Sequence, residues 1–249
     1  MYRFFVPMEQ IFDKEAYIIG DDVNHIRNVL RMTVGEQVSL SDGRGQEYIC
    51  SITELQSEKI CLHIDHVQAF QSELPVKIVL FQALPKKDKM ELIIQKAVEL
   101  GVYEVVPVKT RRCIVKLEDA KKMNKKLSRW QSIAQTAAKQ SGRGVIPQVQ
   151  PVMDYGKALE YAREMDISLI PYELMESMEG SLEAVKQAAK AKTVGIFIGP
   201  EGGFERGEIE KAIEQGTIPV SLGKRILRTE TAGLTILSVL MFQIEANEE

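Results

Sequence analysis

Apolar and polar residues alternate in short runs through the first 70 positions, at 37–40, 47–52 and 59–64, with turn signals such as Ser41-Asp42-Gly43-Arg44-Gly45 between them. Runs of that length and spacing predict a small β-barrel. One helical stretch is expected over 22–31, with Asp22 as its cap. Around Gln71-Ser72-Glu73-Leu74-Pro75 the pattern changes. Apolar strands at 76–84, 102–110, 167–173, 193–198 and 218–223 then alternate with helical periodicity at 88–101, 127–142, 181–190, 204–216 and 232–246. This βαβα succession predicts an α/β domain, a mostly parallel sheet with helices on both faces. Gly101 and Gly216 stand where two of its helices should stop. The expected domains are therefore residues 1–72 and residues 73–249.

Composition narrows the picture. Among 249 residues, 45% are hydrophobic and 27% charged, enough apolar material for a substantial core. No apolar run approaches the roughly 18 residues of a membrane span, because 232–246 is broken by Thr235, Ser238, Gln243 and Glu245. Pro7 and Glu9 stand where a signal peptide would carry its apolar core, so a cytoplasmic protein is expected. The 3 cysteines are odd in number, which disfavours a disulfide framework. Cys61, His63 and His66 invite a zinc reading, but Ile60, Leu62 and Ile64 alternate as on a strand, and no second pair has finger spacing. Strand surface is the preferred reading, and no metal is expected.

The net charge of −3 conceals a strong asymmetry. Residues 74–150 hold 16 Lys/Arg against 6 Asp/Glu, whereas 1–73 hold 6 against 12 and 151–249 hold 10 against 17. A basic third in an acidic chain suits a polyanionic partner, although the lysines of KKMNKK read more simply as a solvated helix face.

In open α/β sheets a ligand lies beyond the carboxyl ends of the strands, and two loops there are chemically unusual. The first is Gly199-Pro200-Glu201-Gly202-Gly203-Phe204, directly after the strand at 193–198. Its three glycines let backbone amides approach a ligand, and the next helix aims its N-terminus at the same place. Nucleotide phosphate is disfavoured, since the spacing is not G-x-G-x-x-G and Glu201 would repel an anion. Hydroxyl groups or a cation suit that carboxylate better. The second loop, 222–232, gathers Arg225, Arg228, Thr229, Glu230 and Thr231 ahead of a helix that is apolar almost all round. Such a helix must be buried, in the domain or at a subunit contact.

GPEGGF followed by LGKRILRTETA resembles the SPOUT RNA methyltransferases, most closely the uridine-N3 methyltransferase family of small-subunit ribosomal RNA. The likeness extends to RFFV at 3–6, HIRNVLR at 25–31, DKMELIIQKAVELGV at 88–102 and RWQSIAQTAAKQSGR at 129–143, nearly the whole chain. Lys224 departs from the pattern, where proline is expected. The resemblance implies a C-terminal trefoil knot, a PUA-like N-terminal barrel, a homodimer and S-adenosylmethionine as methyl donor. It implies that Leu222, Gly223, Ile226 and Leu227 hold the adenine. Gly199, Glu201, Gly202 and Gly203, with Thr231 and Ala232, complete that pocket.

A uracil imide nitrogen is a poor nucleophile until it loses its proton, so such a site needs a base or a cation beside the anion. Arg228 and Glu230 are the catalytic candidates, Arg228 for a carbonyl oxygen and Glu230 either to accept the proton or to orient the arginine. For RNA the candidates are Arg3, His25 and Arg31, with Lys86, Arg111, Arg112, Arg129 and Arg143. Trp130 could stack on a base, though its helix periodicity favours packing inward. Lys96 and Glu99 have the spacing of a surface ion pair. Three classes remain: a donor-dependent methyltransferase of 16S or another RNA, a silent RNA-binding relative, and a small-molecule α/β enzyme. The arginine–glutamate loop disfavours the second, and the basic third with its appended barrel disfavours the third.

Overall fold

The structure, a computed structural model, describes residues 1–113, 120–172 and 178–247. Their contacts separate two units, Met1–Glu73 with Ala138–Ile146, and Leu74–Ala137 with Pro147–Glu249. The short return of 138–146 to the first unit has no counterpart in the expected division at residue 72.

The first unit begins with β1 (Tyr2–Phe5), β2 (Glu15–Ile19) and α1 (Asp21–Asn24), which passes into a π-helical turn over His25–Val29. Three longer strands follow, β3 (Gln37–Ser41), β4 (Gln46–Leu55) and β5 (Lys59–Ala69). They form one sheet in the order β1-β3-β4-β5-β2, antiparallel except for β1 on β3. Register shifts between Ile49 and Cys50, and between Ile52 and Glu54, bend β4. Inward residues of alternating strands, Ile18, Val38, Leu40, Ile52, Ile60 and Leu62, are buried together. In place of a closed barrel the described strands form a curled sheet with β1 and β2 at its ends, Ile11 bridging to Ala16 at the β2 end. The helical stretch runs over 21–29, close to the expected 22–31, with only its first turn α-helical. Gly20, at φ 76°, precedes it, and Asp22 lies inside its first turn and pairs with Lys139 at 3.6 Å.

Residues 138–146 are held here by polar contacts the sequence did not announce. Glu73 Oε2 meets Arg143 at 2.6 Å, while Glu73 Oε1 accepts the backbone N–H of Gly144 at 2.7 Å and of Val145 at 3.1 Å. Ser41 donates to the Gly144 carbonyl at 2.9 Å. A Cβ on Gly144 would fall 2.0 Å from the Phe70 ring, so only glycine fits. The Arg3 guanidinium lies 4.6 Å over the centre of that ring, pairs with Glu47 at 3.0 Å and donates to the Gly142 carbonyl. Burial opposes ionisation of Glu47, but hydrogen bonds from Ser39, Gln68 and Arg3 outweigh it and hold the carboxyl below its ordinary range. Two residues expected to contact RNA are thus engaged within this unit. The Arg143 side chain is only 4% exposed and serves the fold, and Arg3 is largely committed to its own unit.

The second unit carries the predicted succession. It runs β6 (Lys77–Ala83), α2 (Lys89–Glu99), β7 (Glu104–Lys109), α3 (Ala120–Gln140, grouping with the first unit from Ala138), β8 (Gln148–Val149), β9 (Met153–Asp154) and α4 (Tyr155–Ala162). It continues with β10 (Ile167–Pro171), α5 (Met178–Ala188), β11 (Thr193–Ile198), α6 (Arg206–Glu214), β12 (Ile218–Val220) and α7 (Thr229–Glu245). Glu173, at the end of one expected strand, lies outside the described residues. The sheet is parallel throughout, ordered β12-β10-β11-β6-β7-β8 with β9 also on β7. Strand alternation assigns its two faces. Val79, Phe81 and Phe197 pack with Ala158, Leu159, Ile209 and Ala212 of α4 and α6, the two phenyl rings stacking at 4.4 Å. Gln82, of the opposite parity to Phe81, bonds to α7 instead. Gly101 and Gly216 follow α2 and α6 at φ 87° and 89°, left-handed stops as expected. Trp130 is buried, in line with inward packing, and Lys96 pairs with Glu99 at 2.8 Å.

Glu73→Gln removes the charge that neutralises buried Arg143, and breaking such a pair costs about 3–5 kcal/mol. Urea unfolding should register a loss of that order; an unchanged midpoint would mean Arg143 finds solvent in the native state.

Candidate functional site

The carboxyl ends of β10 and β11 open onto a cleft built from both loops singled out in the sequence. One wall is the turn after β11, with Gly199, Glu201, Gly202 and Gly203. The other is the segment after β12, with Leu222, Gly223, Ile226 and Leu227. Ala232 of α7 lines it as well. Gly203 and Gly223 have φ of 66° and 103°, and no heavy atom lies within 4 Å of where either Cβ would stand. Only a residue without a side chain takes those conformations freely, so both walls present bare backbone. Ile226 is 87% exposed at this cleft, an apolar side chain with little protein around it.

Thr229 ties the two walls together. Its buried hydroxyl donates to the Gly199 carbonyl at 2.6 Å and accepts from Gln82 Nε2 at 2.9 Å. The head of α7, the end of β11 and the centre of the sheet are thus joined by one side chain. Thr229 is the first residue of α7, not its cap; that place belongs to Arg228, in an extended conformation with φ −65° and ψ 155°. Thr231 departs from expectation. It is exposed, lies outside the cleft lining, and its carbonyl accepts from Thr235 one turn on at 2.8 Å. Pro171, Tyr172 and Ser221 line the cleft although the sequence reading did not name them. Pro171 ends β10, so the strand-end rule could have found it.

Lys89 was missed altogether. It opens α2, and its ammonium meets Glu230 Oε2 at 3.0 Å and Glu201 Oε1 at 3.3 Å. The backbone N–H of Lys86 also donates to Glu201 Oε1, at 3.0 Å. Burial works against both carboxylates. For Glu201, its own backbone N–H, that of Lys86 and the Lys89 ammonium prevail, and its pKa falls below the ordinary value. For Glu230, its own backbone N–H, Lys89 and then the charge of Arg228 do the same. Hydrogen bonding to Glu230 is the largest effect on Lys89 and, with Glu201 adding to it against burial, raises the ammonium pKa. All three groups are therefore ionised at neutral pH. A carboxylate held in that state accepts protons reluctantly. Of the two roles open to Glu230, orientation agrees better with this electrostatic setting than proton transfer.

The basic candidates separate into committed and exposed residues. Arg112 donates to the Gly202 carbonyl at 2.7 Å. Arg111 bonds Glu208 through its backbone N–H at 3.0 Å and reaches Glu205 at 3.4 Å, so both arginines flank the first wall. Lys86 is exposed, and Arg129 is exposed but paired with Glu91 at 2.7 Å. In the first unit, His25 and Arg31 are exposed, and Arg31 adopts a left-handed φ of 55°. Among the described residues no group of His, Cys, Asp and Glu could hold a metal ion.

Residues 72–241 match the family of the RNA methyltransferase domain, and residues 18–65 match the RNA methyltransferase PUA domain. The chain is 38% identical to ribosomal RNA small subunit methyltransferase E of Bacillus subtilis over 98% of both chains. It also resembles the crystal structure of ribosomal RNA small subunit methyltransferase E from Neisseria gonorrhoeae bound to S-adenosylmethionine. There the TM-score is 0.79 with 33% identity, covering 96% of this chain and 95% of the other. A methyltransferase from Legionella pneumophila, solved with SAM as bound cofactor, aligns with TM-score 0.78 and 34% identity over 96% of each chain.

Thr229→Val keeps shape but removes the partner of the Gly199 carbonyl and leaves Gln82 Nε2 with only its bond to the Ala83 carbonyl, a polar group left unpaired costing about 1–3 kcal/mol. Thermal unfolding should show a clear drop in Tm, and an unchanged Tm would mean the two walls are held otherwise.

Proposed function

The chain belongs to the RNA methyltransferase family that includes ribosomal RNA small subunit methyltransferase E, and from that premise we propose that it methylates N3 of a uridine in small-subunit ribosomal RNA. It is a ribosomal RNA methyltransferase that uses S-adenosylmethionine. The observation carrying the N3 reading is the charged cluster at the head of α7, where Glu230 is held by Lys89 at 3.0 Å and feels the charge of Arg228, beside a cleft lined largely by glycine backbone and apolar side chains.

Those walls suit the donor. Leu222, Ile226 and Leu227 offer apolar surface to an adenine ring, and the exposure of Ile226 leaves an aliphatic face for it to cover. Gly199, Gly202, Gly203, Gly223 and Ala232 leave room for a nucleoside close to the backbone. Bound there, S-adenosylmethionine supplies an electrophilic methyl group on a sulfonium. The chain's own task is to position the uracil and favour its anion. Arg228 faces the developing charge on a uracil carbonyl oxygen. Glu230 fixes Arg228 electrostatically, and the N-terminus of α7 adds a partial positive charge at the same place. Lys86, Arg111, Arg112 and Arg129 contact RNA phosphates in the second unit, and His25 and Arg31 do so in the first.

The trefoil knot, the homodimer and the cytoplasm belong to the same reading. The order β12-β10-β11 supports the knot, because the chain leaves the sheet edge at β12 and must return past β10 to start α7 against Gly199. Val239 and Phe242 leave α7 with an apolar exposed face, Phe242 being 73% exposed, which supports a subunit contact there. A ribosomal RNA substrate supports a cytoplasmic location. Among the described residues no helix is long and apolar enough to cross a membrane.

Labelled methyl transfer onto small ribosomal subunits, followed by nucleoside analysis, should yield 3-methyluridine; a different methylated nucleoside would refute the N3 assignment. Arg228→Ala should slow turnover by roughly 10²–10³-fold with donor affinity retained, by analogy with the loss of an oxyanion donor. Phe242→Glu should convert a dimer to a monomer in sedimentation, whereas a wild-type monomer at micromolar concentration would refute the dimer.

A further inference from the structure

We infer that Lys89 is a positioning residue for methyl transfer: its ammonium, 3.0 Å from Glu230 and 3.3 Å from Glu201, joins the donor-side loop to the carboxylate beside Arg228 as one charged unit. The inference rests on the methyltransferase reading of this site. It assigns a role to a residue outside both loops, at the start of a helix whose periodicity suggests only core packing.

Three independent features of the turn between β6 and α2 aim Lys89 at this place. Lys87 takes a left-handed φ of 56° without being glycine, a strained conformation that a solvated turn has no need to adopt. With the turn so shaped, the Lys86 N–H reaches the same Glu201 oxygen that Lys89 reaches with its ammonium. The next residues of α2, Met90, Ile93, Ile94 and Ala97, are buried, so the helix is anchored and its first side chain has a fixed origin. A flexible surface lysine would have none of these supports.

The arrangement solves an electrostatic difficulty. Two carboxylates that share one ammonium lie close enough to repel each other and both lose hydration, and the cation between them offsets this together with the backbone N–H groups they accept. Glu230 meets Lys89 from α2 and feels the charge of Arg228 at the head of its own helix, while Glu201, from the turn after β11, meets the other side of the same ammonium. Of the two cations, Lys89 contacts both carboxylates. With Lys89 in place, Glu230 stays ionised and can hold Arg228 while the uracil loses its proton. Without it, Glu230 keeps its own backbone N–H and the charge of Arg228 but loses its ion pair, and its titration moves upward.

The test uses the full chain with the variants Lys89→Met and Lys89→Arg. Carbon-13 NMR of labelled glutamate carboxyls in the donor-free protein, with Glu230 assigned through Glu230→Gln, reads the electrostatics directly. The Glu230 titration should move to higher pH in Lys89→Met and return in Lys89→Arg. Single-turnover methylation of small subunits against pH then reads the consequence. Lys89→Met should be at least tenfold slower at neutral pH, with the acid limb of its profile displaced upward alongside the carboxyl. Lys89→Arg should restore the limb and most of the rate. An unmoved Glu230 titration in a folded Lys89→Met protein would overturn the inference. So would a rate loss of the same size at every pH and in both variants, the signature of a mechanical clamp. If the wild type methylates no RNA while the titration shifts, the proposed function falls, and the part of Lys89 in methyl transfer falls with it.

Discussion

One ammonium, that of Lys89, stands between two carboxylates at the edge of a half-buried cleft and pairs with both. Glu201 comes from the turn after β11 and Glu230 from the first turn of α7, segments separated by β12 and the whole of α6. Lys89 is the point at which they are tied electrostatically. Thr229 is the second tie, neutral and more deeply buried, joining the same two segments through the Gly199 carbonyl. One tie sets charge and the other sets position. Together they let loops rich in glycine, which have little intrinsic stiffness, hold a defined shape.

The parallel sheet makes this convergence possible. With every strand of the second unit running the same way, the ends of β6, β10 and β11 all deliver their turns to one edge. The hydrophobic core stays on the faces, where Phe81 stacks on Phe197 and α4 and α6 cover them. Gln82 links the two regimes, a wholly buried amide in the central strand that reaches Thr229 above it. The first unit solves a different problem. Its curled sheet is completed by residues 138–146, locked by Glu73, Arg143 and a glycine that Phe70 leaves no room to replace.

Much of this was legible from residue pattern alone. The change from two-residue alternation to strand–helix succession near residue 73 marked the shift in architecture, and glycine density with Glu201 marked the cleft. Helix α4 was passed over although Tyr155, Ala158, Leu159 and Ala162 recur at helical spacing and are all buried. What stayed hidden was pairing across long separations. Nothing in the neighbourhood of Arg143 says that Glu73, 70 residues earlier, neutralises it, so a buried structural cation reads as a nucleic-acid contact. Lys89 fails in the opposite sense. At the head of an amphipathic helix it looks like an ordinary solvated lysine, and only the fold shows the two glutamates that face it. Thr231 and Thr229 illustrate the limit of motif reading, since two residues of rotation along α7 decide which threonine enters the site.

The proposed donor site is one cleft, formed by 199–204 and 221–227 and braced from α2. Hydrogen exchange of the full chain with and without S-adenosylmethionine measures this directly, because a nucleoside lying on bare backbone shields the amides it covers. Slowed exchange confined to those two segments and the first turn of α7 is the expected result. Protection centred on the sheet of the first unit, or unchanged exchange at saturating donor, would contradict it.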